Sequence, residues 1–292
     1  MIRKEGLAPH NWQKQLSYVV SFFKEQGIDN PQLEAEVLLM AVMDWSRVEL
    51  YLHLLDNCTT EKSEQYQILA TKRAQGEPLQ YLTGKQEFMS LDFFVNKDVL
   101  IPRDDTEILV QAVLSLKSCF KENAVIWDVC TGSGAVAIAL KTYWPEAKVY
   151  ASDISDSALT IAKNNAIHNQ VEITFAQADL LQINQEQPTW PDEFDIIVSN
   201  PPYIPSKQIS SLQKEVQHEP ALALDGGNDG LAFYRRLLTE APRWIVPGGQ
   251  MLWEIGSEQF APLSEEIKPS QWKLNNLCKD YQELNRVICL KI

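Results

Sequence analysis

A chain of 292 residues, 45% of them hydrophobic, is long enough for about two domains with a substantial buried core. Its net charge of −13 argues against direct nucleic acid binding, where clustered basic residues supply the affinity, and leaves room for a protein partner. Five widely spaced cysteines without a C-x-x-C pair, four scattered histidines, and no long apolar run predict no disulfide framework, no metal, no membrane span and a cytoplasmic setting.

The first segment, 1–77, reads as helices only. Leu16, Val19, Val20 and Phe23 follow helical spacing up to Gly27. Asn30 and Pro31 are placed to cap and open a second helix through Leu33, Val37, Leu38 and Val42. Ser46 and Glu49 have the spacing of a capping box, and a fourth helix is expected from Thr60 to Gly76. The segment holds no catalytic constellation, so it is expected to be a small bundle that docks a partner. Residues 78–103 carry Tyr81-Leu82-Thr83-Gly84 and then Phe88 to Val95, the pattern of a linking β-hairpin. Asp104 or Asp105 is expected to cap the helix that follows.

From 104 to 292 strands and helices alternate. Strands are predicted at 125–129, 148–152, 173–178, 195–199, 250–255, 274–279 and 286–291, with helices at 135–143, 156–168, 231–241 and 258–267. Such alternation predicts an α/β fold with a mainly parallel sheet covered on both faces. The gap between the last two strands is too short for a helical crossover, so the seventh strand is expected to run antiparallel.

Asp128-Val129-Cys130-Thr131-Gly132-Ser133-Gly134-Ala135 falls where the first of these strands turns into a helix. Glycines there let backbone approach a ligand closely. Asp153 and Asp179 end the next two strands, and the three acids together suggest a nucleoside site at the carboxyl edge of the sheet. The fourth strand ends in Asn200-Pro201-Pro202-Tyr203, where two prolines stiffen the loop between an amide and an aromatic ring. A nicotinamide-dependent oxidoreductase gives no reason for that sequence.

Taken together, these motifs resemble the family of peptide chain release factor glutamine methyltransferases. The likeness rests on Tyr81 to Gly84, Val99 to Arg103 with Thr106-Glu107, Asp128 to Ala135, Asn200 to Tyr203, Glu219-Pro220 with Ala223 to Gly227, Asp229 to Leu231, Lys279 to Tyr281, and Asn285 to Val287. It implies a class I fold that uses S-adenosylmethionine and releases S-adenosylhomocysteine, Rossmann-like, with seven strands. It further implies that Asp128, Cys130, Thr131, Gly132, Ser133 and Gly134 line the methionine part of the cofactor. Asp153 would hold its ribose, Asp179 and Leu180 would flank its adenine, and Asn200 would touch cofactor and substrate alike. Asn200, Pro201, Pro202 and Tyr203 would be the reactive loop. The implied partner is a class 1 release factor, methylated on the glutamine of Gly-Gly-Gln. Glutamine methylation of a ribosomal protein and N6-adenine methylation of nucleic acid are alternatives. Three positions depart from the family's habit: Cys130 for glycine, Leu180 for an aromatic, and Asp104 for proline.

Overall fold

The structure, a computed structural model, describes residues 11–183 and 190–292; His10 and the first ten residues of the expected bundle lie outside that range. Two units emerge. One comprises the chain up to Gly84 together with Gln213–His218; the other comprises Lys85–Leu212 and Glu219–Ile292.

The first unit contains α1 (Trp12–Glu25), α2 (Pro31–Met43), α3 (Arg47–His53), α4 (Thr60–Ala74) and α5 (Leu79–Thr83). Leu16, Val19, Val20 and Phe23 are buried against Leu38, Leu39 and Tyr66, as helical spacing requires. The Ser46–Glu49 capping box is formed in full. Asn30 departs from expectation. Its backbone is left-handed, at φ 52°, which turns its side chain away from the first helical N–H groups, and no side-chain cap bond forms. Pro31 alone sets the start of α2. Tyr81 to Thr83 are helical rather than a lead-in to the hairpin, and α5 stops at Gly84, φ 74°.

The second unit opens with β1 (Lys85–Phe88) and β2 (Leu91–Phe94), a hairpin whose two turn residues, Met89 and Ser90, both have positive φ. Neither is glycine, and the turn is held from outside: Met89 N donates to Glu107 Oε1 at 2.6 Å, and the Tyr143 hydroxyl donates to Met89 O at 2.6 Å. There follow α6 (Glu107–Ser115), β3 (Val125–Val129), α7 (Ala135–Tyr143), β4 (Lys148–Asp153), α8 (Asp156–His168), β5 (Thr174–Asp179), β6 (Gln182–Ile183) and β7 (Phe194–Ser199). The unit closes with α9 (Ala221–Leu224), α10 (Ala232–Glu240), β8 (Ile245–Glu254), α11 (Phe260–Ile267), β9 (Lys273–Lys279) and β10 (Asn285–Lys291).

The sheet runs in the order β6-β5-β4-β3-β7-β8-β10-β9. The last strand is antiparallel to both neighbours, as expected, and inserts between β8 and β9. The described sheet has eight strands rather than seven, because β6 adds two residues antiparallel to β5. A pair that short carries no periodic signal. β8 begins at Ile245, ahead of the expected start; Gly248-Gly249 in its first half disguises it as a turn. Alternate residues of β3 point to opposite faces. Ile126 packs with α6 and α7, whereas Trp127 packs with Tyr234, Leu237 and Trp253. Asp104 and Asp105 form a 3₁₀ turn without a side-chain cap bond; Asp105 instead pairs with Arg286 at 3.0 Å.

Candidate active site

A cleft of about 300 Å³ opens at the carboxyl ends of β3, β4, β5 and β7, where open α/β sheets bind ligands. It gathers Asp128, Cys130, Thr131, Gly132, Ser133, Asp153, Asp179, Leu180, Asn200 and Pro202 from the residues singled out in the sequence.

The glycine loop is tied down on every side. Asp128, almost fully buried, accepts from Thr131 Oγ1 at 2.6 Å and from Ala137 N at 3.2 Å. It therefore braces the loop from beneath while lining the cleft floor. Burial pushes its carboxyl up to about 7, against the pull of those two bonds. Asp153 accepts from Gly132 N at 2.9 Å and from Ser155 N at 3.0 Å. Burial raises its pKa as well, and the same backbone donors oppose the rise. Its remaining lone pairs are left for hydroxyl donors. Cys130 has φ 62°, and burial raises its thiol far out of the reactive range.

Gly132 and Gly134 serve different ends. A Cβ on Gly134 would meet Ile138 and Ala162 at 3.0 and 3.1 Å, so that glycine lets α7 and α8 pack closely. A Cβ on Gly132 would meet nothing within 4 Å; it points into the open cleft. Behind the loop, Asn165 of α8 is fully buried and uses its whole amide. It donates to Ser133 O at 2.9 Å and Phe94 O at 3.0 Å, and accepts from Phe94 N at 2.7 Å. Asn165→Ala strands those three groups, so we expect a loss of about 3 kcal/mol and a fall of roughly 6–12 °C in Tm by calorimetry.

The far wall of the cleft is apolar and cationic. Leu180, at φ 58°, lies against Phe233 and Trp127 in one cluster. Arg236 donates to Asp179 Oδ1 at 2.8 Å and to Glu240 at 2.9 Å, fixing the acid that ends β5.

The loop after β7 leaves a sheet whose strand ends are joined by Ser199 Oγ, which donates to Val129 O at 2.7 Å. Pro201 and Pro202 are buried. Asn200 Nδ2 donates to Thr106 Oγ1 at 3.1 Å, and Thr106 donates to Glu254 Oε2 at 2.6 Å. Tyr203 turns its hydroxyl inward to Glu254 Oε1, at 3.3 Å, where burial raises its pKa. Its main-chain oxygen accepts from Gln259 Nε2 at 2.9 Å. Gly226 closes against the loop from outside: a Cβ there would lie 2.7 Å from Tyr203 Cα.

The paired motifs of the sequence meet in space. Arg103 pairs with the buried Glu219, which also accepts from Ile101 N at 3.1 Å. Arg286 joins Asp280 at 2.8 Å to Asp105. Sequence reasoning missed Glu254, Asn165, Arg236 and Phe233. Glu254 had a signal: it is an acid inside the apolar run Leu252-Trp253-Glu254-Ile255. Asn165 also had a signal, a lone amide on the buried apolar face formed by Ala158, Leu159, Ala162 and Ala166, whereas Arg236 lies on a polar helix face where nothing in the pattern distinguishes it.

Sheet order, glycine loop and Asn-Pro-Pro-Tyr end define a Rossmann-like methyltransferase, and residues 104–227 match the methyltransferase small domain family. Residues 15–84 match the PrmC N-terminal domain family. The release factor glutamine methyltransferase of Moorella thermoacetica is 46% identical over 236 residues, covering 80% of this chain and 81% of that protein. That of Geobacter sulfurreducens is 39% identical over 254 residues, covering 86% and 87%. The chain belongs to the release factor glutamine methyltransferase family. Among solved structures, the hMettl16 catalytic domain in complex with MAT2A 3′UTR hairpin 1 aligns with TM-score 0.55 at 12% identity, covering 94% of this chain and 90% of that one. That likeness is one of fold alone.

A methyltransferase domain implies S-adenosylmethionine, and the cleft fits it. The unfilled face of Gly132 leaves room for the amino acid part. Asp153 offers spare acceptors to a pair of ribose hydroxyls, and Ile154, Leu180 and Phe233 offer apolar surface to a purine ring.

Proposed function

We propose that the chain transfers a methyl group from S-adenosylmethionine to the side-chain amide nitrogen, N5, of the glutamine in the Gly-Gly-Gln motif of class 1 peptide chain release factors. The observation that carries this reading is Asn200, rigidly held at the cleft edge with its amide nitrogen already engaged by Thr106. Its free Oδ1 is then an acceptor for an N–H. The names of the relatives support the protein substrate. S-adenosylmethionine supplies, when bound, an electrophilic methyl on a sulfonium.

An amide nitrogen is a poor nucleophile because its lone pair is shared with the carbonyl. Asn200 Oδ1 and the Pro201 carbonyl can each accept one N–H of the substrate amide. Two fixed acceptors hold the nitrogen in place and favour its pyramidal form. Orientation of this kind supplies on the order of 7–11 kcal/mol in well-aligned systems. The nitrogen sheds a proton once it carries a fourth bond, a step that needs no base from the loop. Asp128, Cys130, Thr131, Gly132, Ser133 and Gly134 would hold the amino acid part of the cofactor, Asp153 its ribose, and Asp179 with Leu180 its adenine.

Asp153→Asn keeps the size of the side chain but removes the charge from a group that accepts two backbone N–H bonds. We expect S-adenosylhomocysteine to bind about 10–100-fold more weakly by calorimetry. Binding unchanged within twofold would remove Asp153 from the cofactor site.

The bundle at 1–77 is proposed to dock the release factor. On α3 and just beyond it Val48, Tyr51, Leu52 and Leu55 are all exposed at helical spacing, an apolar stripe outside the unit's own core. Reaction in the cytoplasm follows from that partner; among the described residues no helix is long and apolar enough to cross a membrane. The deciding experiment is transfer of a labelled methyl group to purified release factor, ribosomal proteins and DNA in parallel. Label on the Gly-Gly-Gln glutamine is expected. Label only on ribosomal protein or DNA would overturn the substrate.

A further inference from the structure

Asn200 has two chemically opposite ends, an oxygen that accepts and an NH2 that donates. Only one orientation presents the oxygen to a substrate amide. What sets that orientation lies behind the loop. Thr106 Oγ1 stands 3.1 Å from Asn200 Nδ2 and 2.6 Å from Glu254 Oε2. Thr106 is 5% exposed and Glu254 1%, so the bond between them is shielded from water. A hydroxyl has one proton to give, and a carboxylate can only accept. The Thr106 proton therefore goes to Glu254, and the hydroxyl can only accept from its other neighbour. The NH2 end of Asn200 satisfies it. A flipped amide would set oxygen against oxygen with no proton between.

We propose that Thr106 and Glu254 are positioning residues for methyl transfer: their buried relay locks the Asn200 amide with Oδ1 turned toward the substrate glutamine. The proposal rests on the reading of function above and extends it to two residues that act through Asn200. Each of their side chains is held in turn. Tyr203 reaches Glu254 Oε1 from the loop, the Arg286 charge attracts it from β10, and the Asp105 charge repels it from the 3₁₀ turn. The Tyr234 hydroxyl on α10 donates to the Glu254 main-chain oxygen at 2.7 Å.

The relay has a polarity, and protonation reverses it. Burial pushes the Glu254 carboxyl up to about 7, although Thr106 and Arg286 both favour its charge. A protonated Glu254 can donate to Thr106, and Thr106 can then donate to Asn200. The flipped amide becomes as good as the productive one. Turnover should therefore fall as pH drops through about 7.

The test uses the full chain and a release factor carrying Gly-Gly-Gln. Thr106→Val keeps the shape and removes the hydroxyl; kcat should fall about 10–100-fold, with the Kd for S-adenosylhomocysteine within twofold of wild type. Thr106→Ser should restore kcat to within about threefold. Glu254→Gln should abolish the acid limb of the kcat profile. The Asn200 side-chain amide protons, assigned by their loss in Asn200→Ala, should exchange with solvent about 10-fold faster in Thr106→Val than in wild type. A Thr106→Val enzyme with wild-type kcat, or an unchanged acid limb in Glu254→Gln, overturns the proposal. If wild type transfers nothing to the release factor, the functional reading falls and the exchange measurement alone decides; equal exchange in the two proteins then overturns the relay.

Discussion

Asn200→Ala is expected to lower kcat for methyl transfer about 10²–10³-fold while moving the Kd for S-adenosylhomocysteine little. The side chain removed is the only amide in the loop, and its nitrogen is already committed to Thr106. On the proposed mechanism the variant loses the acceptor that fixes the substrate nitrogen, an interaction that matters most as the lone pair is turned out of conjugation. The cofactor loop keeps its own supports, since Asp128, Asp153 and Asn165 do not bond to Asn200. Steady-state kinetics and calorimetry on one preparation separate the two effects. Equal losses in both would make Asn200 a cofactor ligand first.

Gly226→Ala should be nearly as damaging without touching any reacting atom. Its Cβ would lie 2.7 Å from Tyr203 Cα, 2.8 Å from Tyr203 C and 2.9 Å from Pro202 O. All three are backbone atoms, so no rotamer relieves the contact. The backbone on both sides is also pinned: Gly226 N donates to Ile204 O at 2.9 Å, and Ile204 N donates to Leu224 O at 3.0 Å. The loop must shift, and a displacement of about 1 Å in a positioning element costs about 10²-fold in kcat/KM. Far-ultraviolet circular dichroism should show the fold retained, and kinetics should show the loss. Wild-type kcat/KM in a folded Gly226→Ala would mean that the loop is not held by this face.

The helices at 135–143 and 156–168 stand where periodicity set them because each begins at a sharp local signal, the Gly134 turn and the Ser155 cap. The antiparallel last strand followed from the length of one connection. Asn200 and Asp153 both line the cleft, and their polar types at strand ends marked them in the sequence. Asp128 lines the cleft and also ties the loop through Thr131 and Ala137, and that second task is not readable from a sequence. Asn30 and Asp105 failed for a related reason. A capping residue type is necessary for a cap, but backbone conformation at Asn30 and a distant arginine at Asp105 decided otherwise. Glu254 and Thr106 are distant in sequence, and only the sheet brings them within 2.6 Å.

The insertion of β10 between β8 and β9 bears on the order in which the enzyme matures. β3, β4, β5 and β7, which carry the cleft, all precede residue 200 in the chain and pair in parallel without help from β10. Arg286, which attracts Glu254 and joins Asp105 to Asp280, arrives on the strand that closes the sheet. A nascent chain emerging from a ribosome thus forms its cleft before the counter-charge beneath the reactive loop exists. On that order, methyl transfer competence is expected only once the last strand has paired.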